Sequence, residues 1–322
     1  MNRGLTLRPL GLGEVLDRAV TLCVTHFVAL ASIFLIYAVP LAILQYGSSR
    51  DLAHTMSVLS SIAQAGGKGH ADPNAIARAL GSAPPIGVWT PLVVLAGLVL
   101  GPLPMAALIT ACDAFYFGRP ISLRAAYGIA LRRWLPLIGT YLLYVVAAMM
   151  LVAAITIGGV VLVFALTLLT ATLHAVGVAI AVVVGALAIA AILAIIVVAS
   201  LAIQISSFTC VIENEKSIVA FARGIGRVFA GTGLRRSLPV GIAYAVIALG
   251  IGLVTIAGEA LVVGLLHNDI AATAFGTLVR VATAAFLTAF IAIFYYDLRV
   301  REEGLDLTLA ADLARDAPTA TA

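Results

Sequence analysis

Glu259 and Arg280 carry opposite charges inside stretches that are otherwise apolar, and a charge so placed either performs chemistry or is neutralised by a partner. Each lies about ten residues from Asp269, so in an antiparallel hairpin rising about 1.5 Å per residue the two reach one depth. The expectation is an ion pair that fixes helix register, with a substrate or proton pathway as the functional alternative. Pro102 and Pro104, in "GLVLGPLPM", each remove a backbone donor and must kink or break the helix that holds them. Such a break is either the unwound helix of a transport site or a close-packed kink beside the Gly97/Gly101 pair. No proline occupies the matching place in the later apolar runs, which favours the kink.

A third group is "FYYDLRVREEGLDL", Phe294 to Leu307, which crowds two tyrosines and several charges into a short stretch. Tyr295 and Tyr296 suit an aromatic belt at the headgroups. Asp297 with Arg301, and Arg299 with Glu303, are i,i+4 pairs on a continuing helix, and Gly304 is a natural C-terminal stop. The motif therefore marks a membrane boundary, with a docking site for a cytoplasmic partner as the alternative. His54, His70 and Asp72 lack any metal-ligand spacing, and "HADPNAIARALG" predicts a short helix with Asp72 as N-cap and Pro73 at its first position. Cys23, Cys112 and Cys210 are single and widely spaced. No metal site, disulfide framework, cofactor fingerprint or catalytic motif is expected.

The elements that position these residues follow from composition. With 62% hydrophobic residues and a mean hydropathy of +1.14, the chain belongs among integral membrane proteins. The formal charge of +4 forms no extended basic stripe, which excludes nucleic acid as partner and leaves the lipid bilayer. No removable signal peptide is expected, since Glu14 and Asp17 lie ahead of the first apolar run and no short apolar core with a small-residue cleavage site precedes it. From Leu135 to Ile212 there is no Asp, Glu, Lys or Arg, and basic segments flank both ends. Basic segments belong on the cytoplasmic side, so this run makes an even number of crossings, two helices turning near His174.

The expected architecture is all-α with six transmembrane helices over about 27–46, 86–112, 135–168, 177–211, 238–266 and 271–296, forming one domain over 1–304. An external loop spans 47–85, and 305–322 is a cytoplasmic C-terminal segment. Of the 19 lysines and arginines, all but Arg50, Lys68, Arg78 and Arg280 fall in four segments assigned to the cytoplasm, which puts both termini there.

A repeat subdivides the chain. "RRWLPLIG" at Arg132 resembles "RRSLPVG" at Arg235, each with a proline expected at the start of a crossing. Upstream lie amphipathic segments with Ser122 and Ser217 as expected N-caps. In the second, Ile218, Phe221, Ile225 and Phe229 form the apolar stripe while Arg223 and Arg227 point elsewhere. The N-terminal segment has its own stripe through Leu12, Val15, Leu16, Ala19, Val20 and Cys23, with Glu14 and Arg18 at i,i+4. The unit suggested is one cytoplasmic interfacial helix plus one transmembrane hairpin, used three times.

"RPLGLGEVLDRA" from Arg8, "VIENEKSIVAFARG" from Val211 and "YYDLRVREEGLDL" from Tyr295 resemble a family of uncharacterised bacterial polytopic membrane proteins. That family is related to the membrane domain attached to some glycerophosphoryl diester phosphodiesterases. The resemblance implies a six-helix bacterial inner-membrane protein and supplies no catalytic residue, because the phosphodiesterase chemistry belongs to a separate soluble barrel. The functional expectation is a non-enzymatic scaffold or accessory subunit of a membrane assembly, docking other membrane or cytoplasmic proteins. The alternative is a transporter or lipid-handling protein using Pro102, Glu259 and Arg280. Oligomeric state is left open by the sequence, since plentiful small residues permit packing within or between subunits.

Overall fold

The computed structural model describes residues 9–66, 89–229 and 233–304, and all regular structure among them is helical. The elements are α1 (Leu12–Thr25), α2 (Phe27–Gly66), α3 (Trp89–Leu100), α4 (Pro102–Tyr116), α5 (Leu123–Ile212), α6 (Ser217–Phe229), α7 (Gly233–Leu266) and α8 (Asp269–Glu303). Among the described residues five stretches are long and apolar enough to cross a membrane: Phe27–Ser48, Trp89–Tyr116, Leu123–Ile212, Gly233–Leu266 and Asp269–Glu302. The chain is an all-α membrane protein, as hydrocarbon demands of a backbone that must satisfy its own donors and acceptors.

The 90-residue α5 is two arms rather than one rod. His174, at φ 50° and ψ −123°, leaves helical geometry. Beyond it the chain returns: the Tyr144 hydroxyl donates to Ala202 O at 2.6 Å and lies 2.5 Å from Ser206 Oγ. Nearer the base, the Ser217 hydroxyl donates to Pro136 O at 2.6 Å. These pairs are centred close to His174, so the arms are antiparallel. Gly177 makes the turn tight, because a Cβ there would come within 2.5 Å of Leu169 O.

α8 is the hub. It packs against α1, α2, α4, α5 and α7, and every residue from Ala289 to Leu298 is buried. A helix covered on all sides must be apolar on all sides, and "AFIAIF" satisfies that until the two tyrosines and Asp297 arrive. α1 lays Val15, Ala19 and Cys23 against the bundle, turns at His26, which stacks on Phe115 at 4.1 Å, and leads directly into α2. The Glu14 carboxylate accepts from Gly11 N at 3.0 Å at the start of α1.

Several expectations need correction. The loop expected to begin at residue 47 is helical up to Gly66, because 47–66 contains no proline and Gly47 lets Trp89 cross α2; a Cβ there would come within 2.5 Å of the indole. Ser122 does cap α5, accepting from Ala125 N at 3.2 Å, but the amphipathic stretch and the crossing form one continuous helix. Pro136 and Pro239 accordingly sit inside α5 and α7 rather than at their first turns, a placement membrane helices tolerate where neighbours hold them. Ser217 is the first residue of α6, and its hydroxyl is spent on Pro136 O instead of on capping.

The packed face of α6 is the one off the apolar stripe. Ala220, Gly224, Arg227 and Val228 are buried, while Ile218 and Phe229 are exposed. The small residues let α6 approach α5 closely: a Cβ on Gly224 would come within 2.7 Å of Ser206 Cα. An apolar stripe is not the packed side here because lipid also accepts apolar side chains. The expected helix at Asp72 and Pro73, His70, and the 305–322 segment lie outside the described residues, as does the side chain of His54.

Candidate functional site

Three consecutive residues of α8 organise one end of the bundle. The Tyr295 hydroxyl donates to Glu213 Oε1, just past the end of α5. The Tyr296 hydroxyl donates to Asp113 Oδ1 on α4. The Asp297 carboxylate, with no exposed side-chain surface, accepts from Leu10 N at 2.7 Å, from Arg236 Nε at 3.2 Å and from Arg301 Nε at 3.1 Å. Arg236 and Arg301 then donate to Leu10 O at 2.6 and 2.9 Å. In this way α8 ties together α4, the junction of α5 with α6, the start of α7 and the segment leading into α1.

Tyr295 and Tyr296 are therefore not lipid-facing belt residues: they are 0% and 2% exposed. The reason is the covered surface of α8 at this level, where a phenol can be buried only if its hydroxyl finds an acceptor. Tyr296 stacks on Tyr116 at 4.8 Å, and Tyr295 lies edge-on to Tyr296 at 5.3 Å. The guanidinium carbons of Arg227 and Arg299 stand 5.6 and 5.8 Å from the centroid of the Tyr295 ring.

Each acid is held by cations. Asp113 Oδ2 lies 2.8 Å from Arg119 Nη2. Glu213 accepts from Arg227 at 2.5 Å and from Arg223 at 3.3 Å, with Arg299 Nε 4.0 Å away. Arg227, expected on a different side of the helix from the apolar stripe, is buried and also donates to Thr209 Oγ1 at 2.8 Å. Burial disfavours the ionised form of Glu213, but hydrogen bonds from Arg227 and Tyr295 and the charges of Arg227 and Arg299 outweigh it and hold the carboxyl below its ordinary value. A carboxylate held in this way is a poor proton acceptor, and the contacts around it join the ends of α5, α6 and α8. Among the described residues no three His, Cys, Asp or Glu gather as metal ligands, and all three cysteines are buried.

Of the expected boundary pairs, Asp297 and Arg301 meet at 3.1 Å. Arg299 lies near Glu213, and the side chain of Glu303, its expected partner, is outside the described residues. Gly304 ends α8 in the left-handed conformation, φ 61° and ψ 39°. At Pro102 and Pro104, both buried, the chain bends without unwinding: Gly101 keeps helical angles and its N–H reaches Gly97 O at 3.1 Å. The Trp134 indole donates to Val99 O at 2.6 Å beside the bend.

Glu259 and Arg280 come together at the far end of the α7–α8 hairpin, Nη2 to Oε1 3.7 Å. Their side chains are 32% and 50% exposed, and Arg280 also donates to Gln45 Oε1 on α2. Along α8, Arg280 and Asp297 are about 26 Å apart at the helical rise, close to the hydrocarbon thickness of about 30 Å.

Asp113 and Glu213 escaped sequence reasoning. The available signal was that each is the first charged residue after a long uncharged run, as Asp297 is after Arg280. No family model matches this chain, and no curated protein or solved structure matches it either.

Proposed function

We propose that the chain is a non-enzymatic component of the bacterial inner membrane, a scaffold or accessory subunit whose long hairpin docks other membrane proteins. It crosses six times with both termini cytoplasmic. The reversal at His174 supports two crossings by α5, and the clustering of arginines with Asp113, Glu213 and Asp297 at one end supports that end as the cytoplasmic face. The resemblance to phosphodiesterase-associated membrane domains agrees with a module that has no chemistry of its own.

The observation that carries the reading is the distal part of α5. Over residues 145–197 only Gly177 is buried, so two apolar arms leave the bundle almost without protein contact. From Leu135 and from Ile212 to His174 each arm measures about 57 Å at the helical rise. Confining it to a hydrocarbon core of about 30 Å would need a tilt near 58°, beyond the usual range of about 0–40°. Surface that one bilayer does not cover is surface for a protein partner. Support for scaffold over transport comes from the unbroken backbone at Gly101 and from the position of Glu259 and Arg280 at the edge of the bundle.

The test shortens α5 symmetrically about His174 until each arm matches one bilayer. The shortened chain should keep the melting temperature of the bundle and lose the protein that photo-crosslinks to probes at Val152, Val160 and Ile189 in the full chain. Lipid adducts alone at all three positions would refute docking. For sidedness, the buried native cysteines give a silent background; a cysteine at Lys216 should label only from the cytoplasm and one at His267 only from outside.

A further inference from the structure

The ion pair between α7 and α8 is the mouth of a groove. α7 runs away from the Asp297 end and α8 returns toward it, so residues before Glu259 and after Arg280 lie deeper in the bundle. Ile251, Gly252, Thr255, Ile256, Thr283 and Ala284 line a cavity of about 410 Å³ on that deeper side, with Glu259 and Arg280 at its outer end. The lining is apolar apart from the pair and two threonines. Thr255 and Thr283 donate to their own helices, to Ile251 O and Val279 O at 2.7 Å each, so they claim nothing from an occupant.

The pair itself is loose. At 3.7 Å it lies near the outer limit of an ion pair, and both side chains are partly exposed. Glu259 rests over Gly276, one turn before Arg280 on α8, in the space a Cβ would fill. Arg280 is anchored on its other side by Gln45. Carboxylate and guanidinium are thus held side by side, about a hydrocarbon thickness from the opposite charged layer, above an apolar slot. A ligand seated here has an apolar tail and a headgroup that answers both charges at once: an anion for Arg280 and an N–H donor for Glu259.

The geometry points to a binding site for a zwitterionic glycerophospholipid with a phosphoethanolamine headgroup, phosphate on Arg280, ammonium on Glu259 and one acyl chain in the groove. A phosphoglycerol headgroup would satisfy Arg280 but leave Glu259 facing an anion. A phosphocholine headgroup offers a charge but no N–H to donate. This site is independent of the docking role of the α5 hairpin, which lies on another part of the molecule.

The test uses the full chain in nanodiscs holding equal amounts of phosphatidylethanolamine, phosphatidylglycerol and phosphatidylcholine. Lipid that survives gentle delipidation is then counted by native mass spectrometry. The wild type should retain the ethanolamine lipid about tenfold over each of the others, and Glu259→Gln and Arg280→Gln should each abolish that preference. Gly252→Leu keeps both charges and fills the groove; no heavy atom lies within 4 Å of a Cβ at that position, so the variant should melt like the wild type yet lose the lipid. Equal retention of the three lipids by the wild type, a preference for phosphatidylglycerol, or an unchanged preference in the Gln variants or in folded Gly252→Leu would overturn the assignment.

Discussion

Replacing Asp297 by alanine should destabilise the bundle by about 3 kcal/mol, the lower end of the cost of breaking a buried ion pair. The carboxylate has no exposed surface and is bonded to a backbone amide and two guanidinium groups. Its loss strands the amide of Leu10, itself buried, and leaves Arg236 and Arg301 facing each other across an empty site. Two features keep the cost from the upper end of the range. Both guanidinium groups retain Leu10 O as an acceptor, and both are partly exposed, at 20% and 35%. Asp297→Asn keeps an oxygen for Leu10 N but turns an amide toward an arginine, so it should fall between wild type and alanine. Equilibrium unfolding of the detergent-solubilised protein, followed by tryptophan fluorescence, should show a shift of roughly two orders of magnitude in the folding constant for Asp297→Ala. Hydrogen exchange should show Leu10 and α1 opening before the rest, because their tether is this carboxylate. A double-mutant cycle with Arg236→Ala isolates the pair. A loss below about 0.5 kcal/mol, the level typical of uninvolved surface positions, or unchanged exchange in α1, would refute the view that Asp297 clamps the N-terminal segment.

Glu213 should govern part of the acid sensitivity. Its carboxyl titrates below its ordinary value of 4.5 in the folded protein, so the stabilisation it gives is complete above that value and disappears as pH falls through the lower, folded value. Glu213→Gln should therefore be less stable than wild type at neutral pH and lose less on acidification below 4.5, as followed by melting temperature against pH; parallel curves would contradict the assignment. Gly224→Ala should cost about 1–3 kcal/mol by overpacking, because its Cβ would meet the backbone of Ser206 rather than a mobile side-chain end. Protease sensitivity of the α6 junction reports the displacement, and a neutral Gly224→Ala would show that α6 does not sit so close to α5.

The long apolar runs, the reversal at His174, the caps at Ser122 and Gly304 and the common depth of Glu259 and Arg280 were legible because each depends on local chemistry or on chain length. What faces what was not legible. In a soluble helix the apolar stripe names the packed side, but lipid tails and protein interior are equally apolar, so periodicity loses that meaning. Hence the stripe on α6 did not name its packed side: Ile218 and Phe229 lie exposed, while Ala220, Gly224 and Arg227, off that stripe, are buried, Arg227 against Glu213. The same ambiguity assigned Tyr295 and Tyr296 to a lipid boundary when they are inside the bundle at that level.

The polar residues were the better guide, read by order along the chain rather than by period. Asp113, Glu213 and Asp297 each close a long uncharged run in the chain as it returns to the charged end, and each finds an arginine within the same end of the bundle. A carboxylate at the foot of a returning helix needs a partner that hydrocarbon cannot supply, and each of these three meets an arginine. Tyr295, Tyr296 and Asp297 meet Glu213, Asp113 and the arginines in successive positions of one helix because neighbouring residues on a helix point about 100° apart. Three adjacent side chains thereby reach three different neighbours, which is how one central helix clamps α4, the α5–α6 junction, the start of α7 and the segment before α1.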